Sequence, residues 1–246
     1  MSYPQLQMLI AGEWTNGTSG VTENVICPAD GTVLGELPHA SKEDLDDALN
    51  SSVEGFNKWR SETPLNRQSI LEKAAKILER EFEKNSENLT REMGKPLVEA
   101  KIEMQVAIDL LRWYGEEGKR VYGRIIPSRI PNMEHEARKV PVGPVLAFVA
   151  WNFPATNVMR KVAGALAAGC SITIKPSEET PATAIAIGKA LMEAGLPAGV
   201  LNIVFGVPSE VSEHLLASPI PRKLSFTGSV PVGIHLQKLA AQNLIR

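Results

Sequence analysis

VLAFVAWNFPATNVMRKVAGALAAGCSITIKPSEET, residues 145–180, decides the fold of this chain. It opens on an unbroken apolar run, 145–150, bounded by Pro144, the pattern of a parallel strand buried on both faces. Trp151, Asn152, Phe153 and Pro154 stand at the carboxyl end of that strand. A helical repeat follows, with Val158, Val162 and Leu166 on one face and Gly169 as its stop signal. A second strand, 171–174, ends in Lys175-Pro176-Ser177-Glu178. The stretch therefore predicts a βαβ unit with polar groups at the carboxyl ends of both strands. In open α/β sheets that edge binds ligands.

The alternation continues toward the C-terminus. Pro181 starts a helix that Gly195 ends, and 200–204 reads as a third buried strand followed by Gly206. A short helix over 210–217 leads to a fourth strand, 223–226. Thr227-Gly228-Ser229 then opens a helix through Ile234 and Leu239. Four rounds of strand and helix predict an α/β fold, a doubly wound, Rossmann-like parallel sheet.

Upstream, residues 7–39 carry short apolar runs broken by Gly12, Asn16-Gly17, Pro28 and Asp30-Gly31, which predicts a small antiparallel meander. Ser41 reads as a helix N-cap, with Leu45, Leu49, Phe56 and Trp59 at helical spacing. Thr63-Pro64 starts the next helix. Ser86 is expected to cap a short helix ending at Gly94, and Pro96 to open another with Leu97, Ile102, Val106 and Leu110 on its apolar face. The charges on these helices read as solvated surface. Residues 121–142 alternate polar and apolar around Pro127, Pro131 and Pro141, which suits an edge ribbon rather than a central strand. An exposed ribbon needs a partner to pair with, so a subunit contact, and with it a homo-oligomer (dimer or tetramer), is expected. The expected division is 1–120 as the N-terminal part of a cofactor-binding unit, 121–142 as an oligomerisation ribbon and 143–246 as the Rossmann-like core.

Composition narrows the function classes. A net charge of -2 over 246 residues gives no footprint for nucleic acid or a membrane surface. The two cysteines, Cys27 and Cys170, suggest neither a disulfide framework nor a zinc site. His39, His135, His214 and His235 form no pair spaced for a metal or a triad, so no metal is expected. The first residues lack a signal peptide's basic start and apolar core, and no run reaches the ~18 apolar residues of a membrane span. A cytoplasmic location is the expectation.

The polar groups on the sheet edge form a set. Lys175 and Glu178 can donate to and accept from ribose hydroxyls, and Ser229 sits at a helix start, where backbone N–H groups favour an anion such as pyrophosphate. Gly206 and Gly228 let a ligand approach the backbone. The turn from Gly228 to Gly233 is not the G-x-G-x-x-G fingerprint, so a dinucleotide site is one reading of these residues and not the only one. The Asn152 amide could donate to an oxyanion forming on a bound carbonyl, a role worth ~3 kcal/mol in a dry site. A lone asparagine more often satisfies loop backbone.

Trp151-Asn152-Phe153-Pro154, then Lys175-Pro-Ser-Glu178, then Phe226-Thr-Gly-Ser229 with Gly233 resemble the NAD(P)-dependent aldehyde dehydrogenase superfamily. The resemblance runs over essentially the whole chain, including Gly94-Lys95-Pro96. It implies that Asn152 is the oxyanion-hole asparagine and that Lys161 supports the active site near it. It implies that Trp151 meets the cofactor pyrophosphate, that Lys175 and Glu178 hold the adenosine ribose, and that Ser229 binds pyrophosphate. Val149, Gly206, Gly228 and Gly233 complete the implied cofactor set. Glu178 would repel a 2′-phosphate, so NAD is expected, with NADP as the alternative. Where many members carry an aromatic residue in the aldehyde tunnel, this chain has Arg160. That is similar to the succinate-semialdehyde dehydrogenases and their relatives, and it implies a clamp for a substrate carboxylate. On spacing alone Arg160 would read as a surface arginine on a helix.

In that family a cysteine thiolate attacks the aldehyde, hydride passes to the nicotinamide, and a glutamate helps to hydrolyse the thioester. Neither residue is expected within 1–246: Cys170 reads as a structural cysteine at a strand start, and Cys27 matches no catalytic position. The catalytic domain is thus expected to be absent from this sequence, and the 246 residues alone to be inactive. Two other readings stand beside the enzyme: a non-catalytic nucleotide-binding module, and a structural partner that acts through its ribbon.

Overall fold

The computed structural model describes residues 3–246. The chain opens with strands β1 (Met8–Ile10) and β2 (Glu13–Thr15), then β3 (Thr22–Ile26) and β4 (Val33–Pro38). Helices α1 (Lys42–Trp59), α2 (Pro64–Arg80), α3 (Phe82–Met93) and α4 (Leu97–Gly118) follow. The ribbon is β5 (Arg124–Pro127) with β6 (Glu134–Ala137). After it come β7 (Val145–Phe148), α5 (Pro154–Ala167), β8 (Ile172–Lys175), α6 (Pro181–Glu193) and β9 (Leu201–Ile203). The chain closes with α7 (Pro208–Ala217), β10 (Lys223–Phe226) and α8 (Val230–Gln242).

The main sheet runs β10-β7-β8-β9-β1-β2. The first four strands are parallel, and their apolar runs are buried end to end in β7, β8 and β9. The crossover helices α5 and α6 pack against each other under a layer made by α2, α3 and α4, while α7 packs beside α1 and α8. The chain proceeds β7-β8-β9 in one direction and returns to add β10 on the far side of β7. Strand order therefore reverses between β7 and β10, and a crevice opens there at the carboxyl ends.

The predicted doubly wound sheet is present, but it is mixed. The predicted N-terminal meander is in fact two separate hairpins. β1 pairs antiparallel with β9, so β1–β2 extends the main sheet, while β3–β4 forms its own two-stranded sheet. Met8, Leu9 and Ile10 are all buried: a continuous apolar run suits a strand covered on both faces, not a half-exposed meander.

The helix starts follow local chemistry. Ser41 accepts from the Asp44 amide, and the Asp44 side chain accepts from the Ser41 amide, a complete capping box. Thr63 caps α2 with Pro64 in the first turn. Ser86, by contrast, lies inside α3 and donates to the Phe82 carbonyl, so it caps nothing. Trp59 is fully buried, and its indole donates to the Leu166 carbonyl at 2.8 Å, tying α1 to α5.

α4 corrects the expected apolar face. Ala100, Met104, Ala107, Ile108 and Leu111 are the buried side, while Leu97, Ile102 and Val106 are exposed. Among the helix charges, Asp44, Arg67, Glu92 and Glu103 are buried rather than solvated, and so is Lys95 in the loop between α3 and α4. The ribbon strands are exposed along their whole length. No helix among the described residues is long and apolar enough to cross a membrane.

Candidate active site

The strand register brings the polar motifs to one edge. Phe148 is level with Lys175 on one side and with Phe226 on the other. Residues 149–152, 175–178 and 227–229 therefore leave the sheet together at its carboxyl end, and Gly206 follows β9 to the same edge. A cavity of about 210 Å³ lies between these loops, lined by Val149, Lys175, Glu178, Gly228, Ser229 and Val232 among others.

Lys175 and Glu178 form a buried ion pair at 2.5 Å, with side chains 6% and 14% exposed. The Glu178 carboxylate also accepts from the Gly206 amide at 3.3 Å. Gly206 sits at φ 146°, a conformation that an L side chain rarely adopts, so the contact depends on glycine here. A half-buried carboxylate held by both an ammonium and a backbone N–H is fixed in place, on the cavity wall.

Gly228 has a different reason. A Cβ there would meet the Phe226 ring at 2.4 Å, and one at Gly233 would meet it at 3.2 Å. The space these two glycines leave is filled by Phe226, so their backbone closeness serves the ring first. Ser229 is the N-cap of α8 and makes no side-chain cap bond. Among the described residues, no side chain accepts from the first-turn amides of α8. The starts of α5 and α6 are different. Glu103 accepts from the amides of Ala155 (2.8 Å) and Thr156 (3.1 Å), and Glu92 from those of Ala182 (2.9 Å) and Thr183 (3.1 Å). Two of the helices that begin at this edge thus carry an internal carboxyl acceptor at their positive end, while α8 leaves its amides free for an external anion.

Asn152 lies exposed in the turn between β7 and α5. Its side-chain carbonyl accepts from the Asn157 amide at 3.3 Å, and Asn157 also reaches the Ala150 carbonyl at 3.5 Å. With its oxygen engaged, Asn152 presents its NH2 group as the free end. Sequence reasoning missed Asn157; its one signal was that it follows Thr156 as a second polar residue in the buried first turn of α5. Trp151 and Phe153 flank Asn152, each 51% exposed. Lys161 donates to the Phe226 carbonyl at 3.4 Å, at the end of β10. Burial, with Arg160 and Lys223 nearby, lowers its pKa.

Arg160 opens on a second cavity of about 390 Å³, walled by Ile102, Val106 and Phe153 and adjoining Glu99, Thr156 and Asn157. The apolar side of α4 that the core leaves uncovered is one wall of this cavity. Arg160 has no ion pair or hydrogen bond among the described residues, whereas Lys95 in the same cavity is paired with Glu103. The cavity therefore offers one uncommitted cation. Both cysteines are buried, and Cys170 lies at the amino end of β8, opposite the site.

The aldehyde dehydrogenase family model matches residues 14–246. The chain belongs to the aldehyde dehydrogenase family. This member is 48% identical over 240 residues to 4-(hydroxymethyl)benzenesulfonate dehydrogenase TsaD1 of Comamonas testosteroni, covering 98% of this chain and 50% of that protein. It is 37% identical over 238 residues to succinate-semialdehyde dehydrogenase [NADP(+)] GabD of Escherichia coli, covering 97% and 49%. An aldehyde dehydrogenase structure from Brucella melitensis superposes with a TM-score of 0.97 at 38% identity, covering all of this chain (100%) and 51% of that one. This family member spans about half the length of the relatives it matches.

Proposed function

We propose that this chain supplies the cofactor cleft, the oxyanion donor and the substrate clamp of an NAD-dependent dehydrogenase that oxidises an anionic aldehyde to the acid. The observation that carries the reading is Arg160: a cation without a partner among the described residues, on a cavity beside the Asn152 turn that Ile102, Val106 and Phe153 line together with Glu99. An aldehyde with a distal carboxylate, such as succinate semialdehyde, fits that chemistry. The guanidinium would hold the carboxylate by two charge-assisted bonds while the aldehyde oxygen turns toward the Asn152 NH2. The similarity to GabD, whose name gives succinate semialdehyde, and to TsaD1, whose name gives an arenesulfonate, supports an anion at the end away from the reacting carbon.

On the other side, Lys175 and Glu178 would hold the adenosine ribose, with Val149 and Gly206 along its wall. Ser229 and the open α8 amides, with Trp151 opposite, would hold the pyrophosphate. The nicotinamide cofactor, when bound, accepts the hydride. Glu178 disfavours a 2′-phosphate beside it, which supports NAD; the NADP(+) in GabD's name keeps NADP as the alternative. Lys161, its charge disfavoured by burial, steadies the end of β10. The exposed ribbon is read as a subunit contact.

A second reading applies to the 246 residues taken by themselves. Both cysteines are buried and neither lines the two cavities, so these residues are expected to bind nucleotide without turnover. The test of the main reading is Arg160→Leu in the whole enzyme. KM for succinate semialdehyde should rise by about ten- to a hundredfold, the worth of charged hydrogen bonds, while KM for an uncharged aldehyde of the same length barely moves. An equal rise for both substrates removes the carboxylate clamp.

A further inference from the structure

Lys95 and Glu103 stand behind the Asn152 turn, and together they touch it at four points. Their side chains are 7% and 3% exposed and form an ion pair with each other. One Glu103 oxygen takes the Lys95 ammonium, and the other accepts from the Ala155 and Thr156 amides. Lys95 donates to the backbone carbonyl of Asn152 at 3.3 Å and lies over the Phe153 ring, 4.3 Å from its centroid. A buried ion pair is weak evidence for stability, since apolar replacements of similar volume often serve as well. Here the other contacts of the pair are all directed to residues 152–156.

We infer that Lys95 and Glu103 are positioning residues: they fix the backbone of Asn152 so that its NH2 group meets the developing oxyanion. Glu103 sets where α5 begins by capping its first turn. Lys95 sets the peptide plane just before it by holding the Asn152 carbonyl. Asn157 then orients the side chain, but it can do so only if the backbone it reaches toward is already in place. The Lys95 charge is neutralised by Glu103, so it does not compete with Arg160 for an anion. This inference rests on the reading of Asn152 as oxyanion donor.

The test is the double variant Lys95→Met/Glu103→Gln beside the single variant Lys95→Arg. The double variant removes both charges, keeps the volumes and leaves a side-chain carbonyl oxygen at position 103 for the α5 amides, so the fold should hold. Two readouts are taken. In the 246-residue chain, exchange of the bonded amides of Ala155, Thr156 and Asn157, the last of which donates to the Phe153 carbonyl, should speed up by about tenfold or more, while exchange within β7 and β8 is unchanged. In the whole enzyme, kcat should fall by about ten- to a hundredfold, as for a displaced catalytic donor, with KM for NAD within about twofold of the parent. Lys95→Arg, which keeps the cation, should recover most of the loss. Unchanged exchange at the turn, or unchanged kcat in the folded double variant, overturns the inference. If the parent enzyme itself turns over no aldehyde, the oxidation reading fails separately, and the exchange data still decide whether the pair holds the turn.

Discussion

The Asn157 side-chain nitrogen sits 3.3 Å from the Asn152 side-chain oxygen, and this contact leaves the NH2 group as the free end of Asn152. An unheld asparagine could rotate to present its carbonyl to a developing oxyanion, which would repel it. With the oxygen bonded to Asn157, the NH2 group is the only end left to donate. Asn152→Ala should cost about 3 kcal/mol of transition-state stabilisation. Asn157→Ala should cost less, because Asn152 then spends only part of its time reversed. Both losses should appear in kcat with NAD affinity unchanged; a fall in NAD affinity of similar size would assign these residues to cofactor binding instead.

Glu178 carries a separate expectation. Glu178→Gln keeps an acceptor for the Gly206 amide but removes the charge that pairs with Lys175. NAD affinity should fall by about tenfold, in the range of a charged hydrogen bond, and the preference for NAD over NADP should narrow. Calorimetric titration of both cofactors checks this. A variant that loses both affinities equally would show that Glu178 acts through the fold alone.

Glu92 should make stability fall as pH rises. Burial pushes its carboxyl from 4.5 up to about 7, against the hydrogen bonds from Thr183, Tyr3 and the Ala182 amide. The folded state then holds a proton that the unfolded state releases, so the associated stability is full below about pH 4.5 and is lost through about pH 7. The full effect is on the order of 3 kcal/mol. Urea unfolding at about pH 5 and about pH 8 should differ in this sense, and Glu92→Gln should flatten the difference. A slope that survives the substitution belongs to other groups.

Ser41→Ala should lower stability by about 1 kcal/mol, the usual worth of an N-cap. The Asp44 carboxylate would still accept from the amides of residue 41 and Thr18, so the strand-to-helix entry should survive. A urea midpoint that does not move would mean that Asp44 alone holds the cap.

Much of the fold was legible because its signals are local. Ser41, Thr63-Pro64 and the stop glycines Gly94, Gly169 and Gly195 mark helix ends through their own conformations, and the apolar runs of β7, β8 and β9 mark buried strands. The edge set Asn152, Lys175, Glu178 and Ser229 followed from strand ends alone. What was not legible depends on distant partners. Glu103 reaches amides 52 residues away and Glu92 amides 90 away, so on their own helices both look like solvated charge. Ile102 and Val106 repeat at helical spacing yet face a cavity, because periodicity reports that a face is apolar and not what it meets. The β1–β2 hairpin carries no local mark that it will join a parallel sheet, since its neighbour β9 lies far along the chain.

The twin carboxylates at the starts of α5 and α6 also bear on how the molecule opens. Glu92 belongs to α3 and Glu103 to α4, so releasing either helix from the body would strip a carboxyl acceptor from the start of a helix at the carboxyl edge of the sheet. The outer helical layer and the carboxyl edge of the sheet should therefore fluctuate as one cooperative unit. Slow exposure of α3 or α4 to solvent would be accompanied by loss of order in the Asn152 turn, and a ligand seated at that edge would slow the breathing of helices it never touches.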